Sequence, residues 1–177
     1  MIIRKAIQEE YELSHKLYKR AFPRMERRPW FLFHRNPKTI TLYSLLDENK
    51  YVGFMIVLEI KDTIYLDYFA IVEDGRGKGY GSNALKLLKE RYKNKTILLE
   101  LESTKEIAAD NYDERVNRKE FYKRNGFKES KLSLIVFGQK VDIMYLGKDI
   151  DLKEYIKIFQ YAYGKLVTRM MNPKPYL

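Results

Sequence analysis

Cysteine is absent from the 177 residues, which excludes disulfides, thiolate zinc sites and a cysteine nucleophile. Histidine is almost as scarce. With only His15 and His34 a multi-histidine metal site is not expected, and the two fall in a helical run and a basic aromatic segment, where surface or structural roles are the expectation. No stretch reaches the roughly 18 apolar residues of a membrane span, and Met1-Ile2-Ile3-Arg4-Lys5 carries no sustained apolar leader. A soluble, cytoplasmic chain with no membrane partner is expected. Internal repeats and low-complexity segments are also missing, and the length suits one domain with a proper core.

What the chain has in excess is positive charge, a formal net +10. A basic domain attracts phosphate, which raises nucleic acid as a partner. The lysines and arginines read as spread along the chain, more like a solvated surface than a binding stripe, and this weighs against nucleic acid.

Patterning orders the elements. Met1–Lys5 reads as a strand and Glu9–Phe22 as a helix with Leu13, Leu17 and Ala21 on one side, ended by Pro23. A short helix lies within Arg24–Arg35, limited by Pro29 and Pro37. Thr39–Asp47 and Tyr51–Lys61 read as strands around the turn Glu48-Asn49-Lys50. Thr63–Val72 is β-branched and aromatic, a buried strand. A helix from about Gly79 to Tyr92, a strand at Thr96–Ser103, a helix at Asp113–Arg124 capped by Asn125-Gly126, and a hairpin of Phe127–Phe137 with Lys140–Leu146 follow. In Asp151–Met171, Leu152, Tyr155, Ile156, Phe159, Tyr163, Leu166, Val167 and Met170 trace one stripe of a long helix, packed on the protein's own sheet or forming a dimer or partner surface.

The segment Arg76-Gly77-Lys78-Gly79-Tyr80-Gly81-Ser82 joins strand to helix. Its glycines fall at a helix N-terminus, where unpaired N–H groups and the positive dipole end suit a phosphate. A plain connecting turn is the alternative. Walker-type binding would want Gly-Lys-Ser/Thr closing the loop, where Gly81 is followed here by Ser82-Asn83. A dinucleotide fold would want G-x-G-x-x-G and an acid about 20 residues on; Glu100 and Glu102 lie near that distance, but the final glycine comes one residue early.

The spacing Arg76, Gly79, Gly81 matches Arg/Gln-x-x-Gly-x-Gly/Ala, and Phe121-Tyr122-Lys123-Arg124-Asn125-Gly126-Phe127 matches F/L-Y-x-x-x-G-F. Together they resemble the GNAT superfamily of acetyl-CoA-dependent N-acetyltransferases, over roughly Ile2 to Lys148. The resemblance implies an α/β (α+β) fold with a mixed, mostly antiparallel sheet of about six or seven strands flanked by helices. Residues 1–148 would form that domain and 149–177 a helical extension, packed on it or at a homodimer interface. It implies acetyl-CoA as co-substrate, bound by the loop residues Arg76, Gly77, Lys78, Gly79, Tyr80, Gly81 and Ser82, with the backbone of Ala70, Ile71 and Val72 pairing with the pantetheine arm. It implies direct acetyl transfer to a primary amine of a small molecule or protein, with Tyr122 protonating the departing thiolate and no metal. A non-catalytic CoA-binding module is the alternative, and a basic nucleic-acid binder a more distant one.

The general base is open. Glu100 and Glu102 lie two apart on an apolar strand and share a face; near an acceptor site, partial burial would raise a carboxyl toward neutrality, while a solvent-facing edge is the plain alternative. Asp67, Glu26 and a water relay are further candidates. The family's N-x-x-A spacing is filled by Arg115 and Arg118, which puts the asparagine's contact with the pantetheine arm in doubt and suggests contacts to CoA phosphate or an acidic acceptor instead. The segment Thr104–Asp113, with Glu106, Asp110 and Asp113 followed by Glu114, would draw a cationic amine or stay a solvated loop. Glu26, Trp30, Phe31 and Phe33 are candidate acceptor-pocket residues.

Overall fold

The computed structural model describes residues 1–176. Among them run the strands β1 (Ile2–Lys5), β2 (Ile40–Asp47), β3 (Lys50–Ile60), β4 (Thr63–Ile71), β5 (Thr96–Glu102), β6 (Lys128–Val136), β7 (Gln139–Leu146) and β8 (Lys174–Pro175). The helices are α1 (Gln8–Ala21), α2 (Leu32–Arg35), α3 (Tyr80–Arg91), α4 (Tyr112–Arg124) and α5 (Leu152–Met171). β8 was not foreseen. It brings the sheet to eight strands, mostly antiparallel, with β4·β5 parallel.

The chain divides into two compact units, and β4 runs through both: Met1–Glu59 with Leu66–Lys93, and Ile60–Tyr65 with the residues from Asn94 onward. In the first unit the order is β1-β2-β3-β4. The hairpin of β2 and β3 turns at Glu48 and Asn49, whose positive φ values of 47° and 64° are those of a tight two-residue turn. Its register slips between Leu45 and Leu46, which face Gly53 and Tyr51, so Val52 is the extra residue of a β-bulge. Tyr18 packs against Phe33, Phe54 and Tyr68 at the centre of this unit.

The buried face of α1 is not the expected one. Leu13 is 42% exposed, and the buried residues are Glu10, Ser14 and Tyr18. Each is satisfied by a partner distant in sequence or at the helix start: Glu10 by Arg4 and the Ile7 N–H, Ser14 by the Tyr51 hydroxyl at 2.9 Å, and Tyr18 by donating to the Arg28 carbonyl at 3.0 Å. Hydrogen bonding removes the penalty that would otherwise keep these groups at the surface.

In the second unit the order is β4-β5-β7-β6-β8. β6 and β7 turn at Phe137-Gly138, one residue earlier than the sequence suggested. Tyr155 and Phe159 of α5 pack edge-on against Tyr65, so this part of α5 covers its own sheet. The stripe then fails. At Gly164 the backbone leaves the helix at φ 85°, ψ 165°, and the phase of the buried face changes, leaving Leu166 and Met170 73% and 65% exposed while Thr168 and Met171 are buried.

Candidate active site

The strand β4, the loop and the start of α3 are built by close backbone approaches. The Val72 N–H donates to the carbonyl of Val52, the bulged residue, at 3.0 Å, and Gly53 leaves room for the Ala70 carbonyl beside it. The parallel register of β4 with β5 consists of Thr63↔Thr96, Ile64↔Ile97 and Tyr65↔Leu98, and includes none of residues 66–71. A single 3-10 turn, Glu73–Gly75, then leads into the glycine loop. Gly75 is buried, and a Cβ there would meet Tyr80 and Ile71 at 3.0 Å.

Gly77 and Gly79 serve a different purpose. Their φ values of 74° and 80° are left-handed, and nothing lies within 4 Å of a Cβ built on either. They supply conformation and leave open space beside the chain. Gly79 is the N-cap of α3, and its carbonyl receives the Asn83 N–H at 3.0 Å. The N–H groups of Gly77, Gly79, Tyr80 and Gly81 make no backbone hydrogen bond among the described residues, the condition of an anion cradle at a helix N-terminus. Arg76, Lys78 and Ser82 are exposed along it. Tyr80 is anchored by donating to Asp47 Oδ2 at 3.0 Å, and Asp47 also holds the Met1 ammonium at 3.1 Å. The ammonium and then the Tyr80 hydrogen bond draw the Asp47 carboxyl below its usual range, and the Asp47 carboxylate raises the Tyr80 hydroxyl.

In the second unit, α4 ends in a Schellman cap that accounts for the spacing of its motif. Gly126, at φ 89°, donates to the Lys123 carbonyl at 2.9 Å, and the Phe127 N–H donates to the Tyr122 carbonyl at 3.1 Å. The Phe127 ring packs edge-on against Tyr122 at 5.6 Å, the apolar contact that accompanies this cap. Tyr122 is 8% exposed, with Phe121 on another side at 5.1 Å. Burial pushes its hydroxyl well above the ordinary tyrosine value, opposed by the Arg118 charge.

The two candidate bases have different surroundings. Glu100 accepts from the Tyr155 hydroxyl at 2.7 Å. Glu102 is held by Arg115 at 3.0 Å, Arg118 at 2.9 Å and the Asn111 amide at 3.0 Å. The two arginines at the unusual motif positions are therefore drawn to this chain's own acid. Arg115 also binds Glu106 at 3.0 Å and the Ser103 carbonyl at 3.1 Å, and its hydrogen bond holds Glu106 below the usual carboxyl range. Asp67, another candidate, is fully buried and ion-paired with Arg28. The backbone carbonyl of Glu26 accepts from Tyr68 at 2.7 Å.

Two features escaped sequence reasoning. Gly53 carried a signal, an isolated glycine within a strand pattern, which marks a bulge or a close backbone approach. The buried cluster of Lys119, Asp142, Ser103 and Ser133 carried none, because its members come from α4, β7, the end of β5 and β6.

Residues 3–127 match the profile of the acetyltransferase (GNAT) family. The chain belongs to that family. That family uses acetyl-CoA as co-substrate. Over 84 residues it is 36% identical to a Bacillus subtilis (strain 168) protein named "Putative acetyltransferase YjbC", a match covering 48% of this chain and 40% of that one. Among solved structures, a GNAT-family protein of Bacteroides thetaiotaomicron aligns over 93% of this chain and 99% of its own at TM-score 0.73 and 22% identity. A variant of the spermidine N-acetyltransferase SpeG of Vibrio cholerae aligns over 82% and 94% at TM-score 0.63 and 16% identity. A ribosomal-protein-alanine N-acetyltransferase of Brucella melitensis aligns over 82% and 99% at TM-score 0.58 and 17% identity. These likenesses concern the fold. Among the described residues no helix is long and apolar enough to cross a membrane.

Proposed function

We propose that the chain transfers the acetyl group of acetyl-CoA to a primary amine by direct attack within a ternary complex. The observation that carries this reading is the set of unbonded N–H groups at Gly77, Gly79, Tyr80 and Gly81, beside glycines whose missing side chains leave open space. That arrangement suits the pyrophosphate of the donor, with Arg76 and Lys78 adding charge. The backbone of Ala70, Ile71 and Val72 orients the thioester arm, a gain in effective molarity. Tyr122 gives its proton to the departing thiolate, and its burial keeps that proton in place at neutral pH. Of the two strand acids, Glu100, whose carboxylate accepts from the Tyr155 hydroxyl, is the proposed base, directly or through water. Glu102, held by two guanidinium groups, orients α4.

Calorimetric titration with acetyl-CoA, followed by assay of free thiol over a panel of amines, tests this. Saturable binding with amine-dependent thiol release supports it. Binding without thiol release from any amine would recast the protein as a CoA-binding module, and no binding would remove the proposal.

A further inference from the structure

The positive charge is less evenly distributed than a first reading of the sequence suggests. Residues 16–38 carry eight lysines and arginines against one acid, Glu26, a net +7 out of the chain's +10. Among the described residues only one of the eight, Arg28, is ion-paired, with Asp67. Uncompensated like charges repel and cost stability, and a counter-charge supplied by a ligand offsets that cost.

This charge surrounds an aromatic centre. Trp30, the single tryptophan, stacks on His15 with centroids 4.6 Å apart and an interplanar angle of 17°. It meets Phe33 edge-on at 5.4 Å and His34 at 6.4 Å. Burial, then the charges of Lys19, Arg27 and His34, hold the His15 imidazole below its ordinary range. The fixed charges that act on this imidazole, Lys19 and Arg27, are both cationic.

The segment is also fixed in place. The Tyr68 hydroxyl accepts from the Arg28 N–H at 3.2 Å and donates to the Glu26 carbonyl at 2.7 Å, while the Arg28 guanidinium pairs with Asp67. Asp67 and Tyr68 precede Ala70 on β4 by three and two residues, so residues 26–30 are clamped to the strand that would carry the thioester arm. Of the acids expected to draw a cationic amine, Glu106 is engaged by Arg115 and Lys140.

We infer that the surface around Trp30 recognises an anionic group, and that the acceptor is an amine which also bears a carboxylate or phosphate, not a polyamine. The substrate half of this statement rests on the N-acetyltransferase reading; the anion-recognising surface does not. In the reaction the amine nitrogen forms the C–N bond, the C–S bond breaks, one amine proton leaves to base or water, and the thiolate takes a proton. A cationic surround favours the neutral, nucleophilic form of the amine, and an anionic group on the same molecule supplies the attraction that the ammonium form would lose.

Two measurements test the inference. Fluorescence from Trp30 is quenched with iodide and with caesium, each constant divided by that of free N-acetyltryptophanamide; the expected normalised ratio favours iodide by about threefold or more. The ratio falls toward unity in Lys19→Gln/Arg27→Gln and holds in the control Lys153→Gln/Lys157→Gln on α5. Then kcat/KM is compared for amino acids against their amides, for aminoalkyl phosphates against their neutral esters, and for spermidine. The anionic members are expected to lead by about tenfold or more, a lead that Lys19→Gln/Arg27→Gln erases; which pair shows it names the anion. A quenching ratio near unity, or a preference for spermidine or the neutral members, overturns the inference. If no amine releases thiol but the iodide preference persists, the acetyltransferase reading fails and the anion surface stands.

Discussion

A Cβ built on Gly53 would stand 2.3 Å from the Ala70 carbonyl oxygen and 3.1 Å from the Ile71 Cα. Backbone atoms cannot yield as a flexible side chain does, so any larger residue must push β3 from β4 at the bulge that Val52 creates. Gly53→Ala is expected to cost about 1–3 kcal/mol of stability and to weaken acetyl-CoA binding, since the displaced residues are those proposed to hold the thioester arm. Urea unfolding and calorimetry measure the two effects. Gly138→Ala is the comparison: φ is 82° with nothing within 4 Å, so only backbone strain of about 1 kcal/mol is expected, with CoA affinity retained.

Tyr122→Phe keeps the ring that caps α4 against Phe127 and removes only the hydroxyl. If the hydroxyl serves as general acid, kcat falls by about a hundredfold while the dissociation constant for CoA is unchanged. Burial raises this hydroxyl above its ordinary value, so it stays protonated across the neutral range and no alkaline limb of kcat below about pH 10 belongs to it. A group raised on folding contributes stability that is full below its unfolded pKa and is lost as pH climbs through the folded one. Wild type should therefore lose stability above about pH 10 more steeply than the variant. Equal turnover by both proteins would remove Tyr122 from its role.

Much of this was legible because local patterns and the fold agree. The turn at Glu48-Asn49, the strand entering the glycine loop and the Asn125-Gly126 cap all follow from residues within a few positions of one another. The failures share a different cause. Leu13 looked buried because periodicity assumes that apolar residues choose the inner face, but Tyr51, Arg4 and Arg28 supply Ser14, Glu10 and Tyr18 with partners from elsewhere in the chain. The stripe in α5 assumed one continuous helix, and Gly164 interrupts it. Tyr122 was legible twice over, as a motif residue and as the third residue from the end of a Schellman cap, and the cap alone would produce much of the same spacing.

Lys119 and Asp142 form a buried ion pair at 3.3 Å; Glu129 and the Thr104 hydroxyl also contact the ammonium, and Ser103 and Ser133 donate to the carboxylate at 3.1 and 3.0 Å. Burial opposes both charges, yet Glu129 and Asp142 raise the Lys119 ammonium, while Lys119 with the serines lowers the Asp142 carboxyl. Removing Lys119 leaves the Asp142 carboxylate buried with only its serine donors, so Lys119→Met should cost about 3–5 kcal/mol; Asp142→Asn, which leaves Glu129 on the ammonium, should cost less, and the double variant clearly less than the sum. Because the Asp142 carboxyl is lowered on folding, its contribution is present above about pH 4 and fades as pH falls through the folded value. A urea double-mutant cycle at neutral and acid pH checks both; strict additivity would refute the coupling.

Gly164 holds a backbone conformation, φ 85° and ψ 165°, that is open almost solely to glycine. Gly164→Ala is expected to cost about 1–3 kcal/mol. The alternative for the variant is to straighten α5, which would rotate residues 165–171 and withdraw Met171, whose carbonyl receives the Phe137 N–H at 2.9 Å. Either route loosens the segment beyond it, where Pro175 and Lys174 pair with Leu134 and Ile135, the Tyr176 N–H donates to the Ser133 carbonyl at 3.0 Å and the Tyr176 hydroxyl bonds Ser103. Hydrogen exchange should therefore rise in residues 165–176 and along β6 while Tyr155 to Ala162, whose helix precedes the break, keeps its protection. Unchanged exchange beyond residue 164 would show that the break does not govern how the C-terminal strand is held.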